Sequence, residues 1–296
     1  MKEIQKPRLV CWFSHGAASA VATKLTIENA KKTHPDHELV VANIYLKNEH
    51  PDSLRFMEEC EDWFGVPILE LKNERYNGDV DVVIEKFRYM SGVAGARCTK
   101  ELKKQVRLDW QRFDDVHVFG MTTDEEKRID NLLDTEPDLE IYAPLIDYKI
   151  TKTDCFRMLN DVGIELPVMY RLGYHNNNCI GCVKASGAGY WNKIRVDFPD
   201  VFKRRAFQEE LLGVALVKMS AKKFKKNWPE DYEKMHSDHV AGKCKWVVDS
   251  NGSLRIPLRY LPPDAGSHKD LDIGACGFFC EIKEKNNALQ KSKVQK

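Results

Sequence analysis

The first half of the chain alternates short apolar runs with segments in which apolar residues recur every three or four positions. An apolar run at residues 8–13 leads into the small-residue loop SHGAAS and then into AVATKLTIENAKK, which has helical spacing. Strand-like runs recur at 38–46, 67–71 and 115–119, and helical spacing recurs at 53–64, 80–87 and 99–113. This alternation predicts an α/β fold, a mostly parallel sheet with helices on both faces.

The pattern changes after residue 150. Helices are predicted at 152–162 and 201–212, with a Gly/Asn-rich stretch between them. The strand-like pieces KWVVD and SLRIPLRY flank an Asn-Gly pair, which predicts a hairpin. We therefore expect two parts: an α/β domain at residues 1–150 and a Cys-rich α+β extension at residues 151–296.

Composition limits the partners. The 46 Lys and Arg nearly balance the 45 Asp and Glu, which gives no global charge for capturing nucleic acid, although KMSAKKFKK at 218–226 is a local basic patch. The apolar runs are shorter than the ~20 residues of a membrane span, so no membrane partner is expected. The start MKEIQKPRLV lacks a signal-peptide core, which predicts the reducing cytoplasm. Nine cysteines there indicate metal or redox chemistry.

The loop between the first strand and the first helix has the chemistry of a phosphate site. Backbone N–H groups and the positive end of the helix dipole meet there, and small side chains let a phosphate approach. Small residues also occur wherever a strand turns tightly into a helix, so that alternative stays open. The candidate residues are Ser14, His15, Gly16, Ala17, Ala18 and Ser19.

This loop resembles the PP-loop, S-G-G-x-D-S, of the phosphoadenosine phosphosulfate reductase and ATP-pyrophosphatase superfamily. Ser14, Gly16 and Ser19 match, whereas His15 replaces a glycine and Ala18 replaces the aspartate of the hydrolysing members. The resemblance implies an adenine nucleotide alpha hydrolase-like fold. It implies nucleotide binding more strongly than ATP cleavage, and it leaves the use of Mg²⁺ open.

Two further segments resemble the same family. HPDSLRF, with Asp52 and Arg55, is similar to the nucleotide-facing region after the second strand; a helix cap would explain Asp52 but not Arg55. The segment RCTKELK, with Arg97, Cys98 and Lys103, resembles the family's R-C-T-x-x-L-K element. A helix start favours the thiolate form of a cysteine, and Arg97 and Lys103 can bind an anion. The resemblance implies that these residues face the nucleotide.

GMTTDEEKR follows a predicted strand at the edge of the sheet where ligands bind in open α/β folds. Its Glu126 and Arg128 resemble the acidic and basic pair of the family's G…E…R segment. An exposed helix N-terminus that is rich in acidic residues would have the same sequence pattern, so that alternative stays open.

The C-x2-C loop NNNCIGCVK allows Cys179 and Cys182 to converge on one metal. Cys98 would supply a third ligand, and Cys280, or alternatively Cys276, a fourth. Four thiolates suit either a [4Fe–4S] cluster or Zn²⁺. The segment also resembles reductase-like proteins whose sulfur-transfer relatives carry iron–sulfur clusters, which favours iron over zinc.

Other roles for the cysteines remain open. The C-x2-C pair also suits a redox dithiol, or two buried core thiols. Three cysteines have the pattern of small core residues on predicted strand or helix faces: Cys11, Cys60 and Cys155.

Together the motifs predict an enzyme that binds ATP or an adenylyl sulfate and supports sulfur transfer or reduction. Its expected partners are the adenine nucleotide, a nucleic-acid acceptor, and a protein that donates sulfur or electrons. Cys280 lacks the usual terminal sequence of the sulfate-assimilation reductases, which makes sulfur transfer the better match. Two alternatives are a non-catalytic nucleotide-binding or sensing module with structural zinc, and a zinc-stabilised nucleic-acid-binding protein. The oligomeric state is not specified.

Overall fold

The computed structural model describes residues 5–92, 95–249 and 252–273, which form two compact units. Within this described part, unit 1 contains residues 5–83 and 98–173. Unit 2 contains residues 84–92, 95–97, 174–249 and 252–273. None of the described helices is long and apolar enough to span a membrane.

The strands are β1 (Arg8–Trp12), β2 (Glu38–Ile44), β3 (Ile68–Leu71), β4 (Ser91–Gly92), β5 (Gly95–Ala96), β6 (Val116–Val118), β7 (Glu140–Tyr142), β8 (Val217–Ser220) and β9 (Ser253–Ile256). In unit 1, five of them form a parallel sheet in the order β3-β2-β1-β6-β7. In unit 2, β8 pairs with β9 antiparallel.

The helices of unit 1 include α1 (Ala17–Thr33), α2 (Asp52–Phe64), α5 (Gln105–Trp110), α6 (Glu126–Thr135), α7 (Pro144–Asp147), α8 (Lys152–Asp161) and α9 (Val168–Arg171). Two helices contain residues of both units: α3 (Val80–Phe87) and α4 (Arg97–Thr99). Unit 2 contains α10 (Ala188–Asp197), α11 (Pro199–Leu212), α12 (Ala221–Asn227) and α13 (Pro229–Val240).

Helices cover both faces of the parallel sheet, as predicted. Because side chains alternate along a strand, Leu9 and Cys11 pack on one face with α1, α2 and α8. Val10 and Trp12 pack on the other face, together with Val106 of α5 and helix α6. The burial of β1 on both faces explains its uninterrupted apolar sequence.

The sequence pattern placed most elements of the sheet within two or three residues. It missed β7, a three-residue edge strand whose sequence EIY is too short to show a period. The helix expected at 99–113 spans α4 and α5, which a π-helical stretch, Lys100–Lys104, joins.

The expected C-terminal hairpin forms in part, since the N–H of Arg255 donates to the carbonyl of Val247 and that of Asp249 to the carbonyl of Ser253, both at 2.9 Å, and its second strand has a further partner. SLRI forms a regular ladder with β8, and KWVVD contributes an isolated bridge between Val248 and Leu254. The strand VKMS alternates buried and exposed residues, as a strand with one buried face does, and its backbone pairs with SLRI. Asn251, the first residue of the expected Asn-Gly turn, lies outside the described residues.

Unit 1 continues to Gly173, beyond the boundary expected after residue 150. Cys155 and Leu159 of α8 belong to the same apolar core as α1, so this helix completes the sheet domain. Residues 84–92 and 95–97 cluster instead with the described residues of the C-terminal half of the chain.

Candidate functional site

The strand order of unit 1 defines one crevice at the carboxyl edge of the sheet. From β1 the chain moves outward through β2 and β3, and it then returns to the other side of β1 for β6 and β7. In open α/β sheets ligands bind where the strand order reverses in this way. The two loops at that point follow β1 and β6, and the first of them is the predicted phosphate loop.

The phosphate loop is held by one hydroxyl. Ser19 Oγ donates to the carbonyl of Gly16 at 2.9 Å and accepts from the N–H of Ser14 at 3.0 Å. Ser14 Oγ lies 3.2 Å from the same oxygen. Gly16 is the N-cap of α1 and has no side chain with which to cap the helix, while the N–H of Ala17 donates to Oη of Tyr170 at 3.4 Å. The N-terminus of a 17-residue helix therefore opens onto the loop, with its dipole favouring an anion.

His15 has the backbone conformation that explains the glycine of the resembling motif. Its φ is +55°, in the left-handed region that glycine adopts without strain. The side chain is 4% exposed, and its Nδ1 lies 2.7 Å from Oε2 of Glu49. The contact between His15 and Glu49 places a carboxylate beside the loop, which has an alanine, Ala18, at the position of the motif's aspartate.

Gly120, the residue that follows Phe119 after β6, brings the second loop directly against α1. A Cβ at Gly120 would lie 2.5 Å from both N and Cα of Ser19, so only glycine allows this backbone approach. The sequence signal was a glycine immediately after a strand, and we had not identified it as a site residue.

Tyr170 of α9 also reaches the loop. Its Oη accepts from the N–H of Ala17 at 3.4 Å, and a Cβ at Gly16 would lie 3.4 Å from the same oxygen. Tyr170 was missed because it lies 153 residues away in sequence. No local pattern marks a contact of that range.

Asp52 and Arg55, expected to face the nucleotide, form a two-bonded ion pair of 2.7 and 3.0 Å. Asp52 Oδ2 also accepts from the N–H of Val168 at 2.8 Å, and Arg55 donates to the carbonyl of Glu165. The hydrogen bond from Arg55 lowers the pKa of Asp52, and the bond to Asp52 in turn raises the pKa of Arg55. In the structure this pair anchors the start of the helix that carries Tyr170.

The RCT segment is divided between the units. Arg97, in unit 2, lies over the ring of Phe87 at 4.0 Å. Cys98 and Lys103 belong to unit 1, where Cys98 is half-buried and Lys103 is 7% exposed. The π-helical stretch contains Lys103. Single π-turns within helices are frequent at functional sites.

Arg128 contacts the carboxylate of Glu125. Glu125 also closes a capping box with Thr122 at the helix start. Glu126 begins α6 and is exposed. The helix-cap alternative therefore explains Glu125, and the roles of Glu126 and Arg128 toward a nucleotide stay predictions.

The C-x2-C loop turns at Gly181, which has φ +66°. A Cβ there would lie 2.6 Å from Cγ1 of Val201, so the loop is packed tightly against α11. Cys179 and Cys182 are 7% and 6% exposed, and the N–H of Cys182 donates to Oη of Tyr190 at 2.9 Å. Burial raises the pKa of Tyr190, and both neighbouring thiols add to this effect. The two thiols thus share the surroundings of one tyrosine hydroxyl.

Two thiols do not complete a four-ligand site. Among the described residues, no group of three or more His, Cys, Asp and Glu is placed to hold a metal ion. The expected fourth ligand, Cys280, and its alternative, Cys276, lie outside the described residues. Three other cysteines are buried in the core, as expected: Cys11, Cys60 and Cys155. Their burial raises their thiol pKa values well above the ordinary one.

Comparison with protein-family models gives no match for this chain. Comparison with curated proteins gives no match either.

Proposed function

We propose that unit 1 binds the phosphate groups of an adenine nucleotide, ATP or an adenylyl sulfate, at the loop formed by residues 14–19. The observation that carries this proposal is the start of α1, whose N-cap residue is a glycine, at the reversal point of a parallel sheet. The left-handed His15 supports it, because it gives the loop the turn that a glycine gives in the resembling motif.

The loop offers three kinds of group to a phosphate. Backbone N–H groups of the first turn of α1 donate to the anion, and the hydroxyls of Ser14 and Ser19 lie beside them. The imidazole of His15, whose Nδ1 lies 2.7 Å from Oε2 of Glu49, is the third group beside the loop. Tyr170 limits the space above Gly16.

We further propose an enzyme of sulfur transfer or reduction, a sulfurtransferase or oxidoreductase of the reducing cytoplasm. In this proposal Cys179 and Cys182 hold a metal centre, an iron–sulfur cluster in preference to zinc. A cluster would supply electrons or sulfide. The described residues provide two of its ligands, so we derive no reaction step through it.

A nucleic-acid acceptor would suit the basic surface of α12. This short helix exposes four lysines within unit 2: Lys222, Lys223, Lys225 and Lys226. Such a row attracts a phosphate backbone through charge alone. The four lysines therefore support a nucleic acid as the acceptor, without indicating which base is recognised.

A second candidate is a nucleotide sensor without catalysis. Ala18 favours it, since the loop lacks the carboxylate that would bind Mg²⁺ for pyrophosphate release. Glu49 is the carboxylate that contacts the loop, and it pairs with His15. Release of pyrophosphate or adenosine phosphates from ATP distinguishes the enzyme from the sensor.

The binding proposal is tested by calorimetry with ATP, and with adenosine as the ligand that lacks phosphate. Ser14→Ala combined with Gly16→Val should weaken ATP binding at least tenfold, since a hydrogen bond to a charged group contributes roughly 1.5–3 kcal/mol. Adenosine binding should change much less.

Thr33→Ala serves as the matched control, because its exposed hydroxyl contacts the carbonyl of Asn29 and Nδ1 of His34 at the end of α1 away from the loop. It should leave ATP affinity unchanged. Unaltered ATP affinity in the Ser14/Gly16 variant, with a native melting temperature, would refute the phosphate-loop assignment.

A further inference from the structure

Unit 2 contains a cavity of about 320 Å³ that the nucleotide proposal does not use. It lies between the end of α11, the segment 243–247 and β9. All of its lining residues belong to unit 2, whereas the loop at 14–19 belongs to unit 1. The volume is at the lower end of small-molecule sites, which suits a ligand with about one ring.

Two of the cations that line the cavity are already paired. Arg259 Nη1 lies 2.9 Å from Oε1 of Glu210, and its Nη2 donates to the carbonyl of Lys243 at 2.8 Å. Lys243 Nζ lies 3.1 Å from a carboxylate oxygen of Asp238. These pairs shape the rim and leave little charge for a ligand.

The other two cations, Lys245 and Arg255, form no ion pair with a carboxylate in the described part of the chain. Arg255 Nη1 donates to the carbonyl of Leu216 at 3.3 Å, which fixes the guanidinium at the cavity wall. Lys245 Nζ would lie 3.2 Å from a Cβ at Gly213, so the ammonium approaches the end of α11. Two positive charges therefore line the same cavity without a compensating acid.

Glu209 also lines the cavity but adds little negative charge. Its two oxygens accept from the N–H groups of Leu216 and Leu258, both at 2.6 Å. Burial raises the pKa of Glu209 to about 8, so the acid is mostly protonated at pH 7. The positive charge of Lys245 and Arg255 therefore remains uncompensated at neutral pH.

The rest of the wall is apolar, and it contains one thiol. Val214, Ala215, Val247 and Pro257 provide carbon surface, and the half-buried Cys244 lies among them. An anionic head with an apolar body would satisfy both parts of the cavity.

We propose that this cavity binds a small organic anion, a carboxylate or a phosphate monoester, whose charged head lies at Lys245 and Arg255 and whose apolar part packs against Val214, Val247 and Pro257. This is a second site of unit 2, independent of the nucleotide loop. A carboxylate and a phosphate can each accept two hydrogen bonds from a guanidinium, so the binding experiment compares ligands with either head group.

The test measures binding of phenyl phosphate and benzoate to the full chain, with benzamide as the uncharged analogue and inorganic phosphate as the head alone. We expect benzamide and inorganic phosphate to bind at least tenfold more weakly than the better organic anion. A preference for benzoate or for phenyl phosphate identifies the head group. Failure of both to bind, or equal binding of benzamide, overturns the proposal.

Arg255→Gln and Lys245→Gln should each weaken binding about tenfold, as expected for loss of one hydrogen bond to a charged group. Arg255→Lys should retain most of it. Lys234→Gln is the matched control, because this exposed lysine of α13 lies outside the cavity. Melting temperatures establish that each variant is folded. Unchanged affinity in folded Lys245→Gln overturns the assignment of the head group.

Alkylation of Cys244 by iodoacetamide, followed by peptide mass spectrometry, locates the ligand. A saturating organic anion should slow alkylation at least fivefold, whereas benzamide should not. The Ser14→Ala/Gly16→Val variant should show the same protection, which keeps this test separate from the nucleotide proposal. Binding without protection of Cys244 places the ligand elsewhere and overturns the site.

Discussion

Among single residues, His117 shows how the core of unit 1 fixes a protonation state. It lies on β6, 1% exposed, and its Nδ1 accepts from Nε1 of Trp12 at 2.9 Å. A protonated ring nitrogen cannot accept this bond. Burial, followed by the charge of Arg107, lowers the pKa of His117 to about 4. The ring is therefore neutral across the physiological range.

This lowered pKa predicts a pH-dependent stability. Between about pH 6.5 and 4 the unfolded chain binds a proton at His117 that the folded chain does not, so the free energy of unfolding falls as the pH falls. The whole window contributes about 3 kcal/mol, from 1.36 kcal/mol per pKa unit. Urea unfolding between pH 4 and 7 measures the slope.

His117→Gln should remove most of that slope, because glutamine does not titrate. His236→Gln, at an exposed position of α13, should leave it as in the wild type. A wild-type slope in the His117 variant would mean that other groups cause the pH dependence.

Single residues also show which contacts of the loop a sequence pattern can indicate. Ser14, Gly16 and Ser19 were identifiable because their contacts are local, within five positions of one another. His15 was expected only as a departure from a glycine, and the structure explains it by its positive φ. Tyr170 could not be found, because its contact with the loop depends on the packing of a distant helix.

At the scale of elements, the site depends on how closely α1 approaches the loop after β6. Gly120 sets this distance, with Ser19 backbone atoms where its Cβ would be. The period of a sequence shows that a strand and a helix exist, but it does not show the distance between them. For this reason the sequence predicted both elements and missed the glycine that joins them.

Gly120→Ala should therefore destabilise unit 1 by about 1–3 kcal/mol, the usual cost of overpacking, because the new methyl meets backbone rather than a movable side chain. It should also weaken ATP binding, since it displaces the first turn of α1. Urea unfolding and calorimetry measure the two effects.

Gly16→Ala is the matched control for stability, because its Cβ would be in ordinary contact, 3.4 Å from Tyr170 Oη. It should change the free energy of unfolding by less than Gly120→Ala does. Equal stability of the Gly120 variant and the wild type would show that the two loops separate easily.

For the whole molecule, alternation of strands and helices was sufficient to predict a parallel α/β sheet. It was not sufficient to place the boundary of unit 1, because α8 has the same amphipathic pattern whether it packs on this sheet or on another unit. Only its buried Cys155 and Leu159 assign it to the core of α1. Likewise, the C-x2-C spacing predicts two convergent thiols, and the remaining ligands depend on folding at long range.

Metal content is the property of the whole chain that tests the cysteine assignment. Protein purified without oxygen should contain iron and acid-labile sulfide, about four of each for a [4Fe–4S] cluster, and Cys179→Ala/Cys182→Ala should lose them and melt at a lower temperature. Cys244→Ala, which removes the half-buried thiol of the cavity in unit 2, should keep the metal. Stoichiometric zinc without colour would replace the cluster by a structural ion and favour the sensor. Full metal content in the double variant would mean that the C-x2-C loop is not a ligand, and the rigid turn at Gly181 would then serve packing alone.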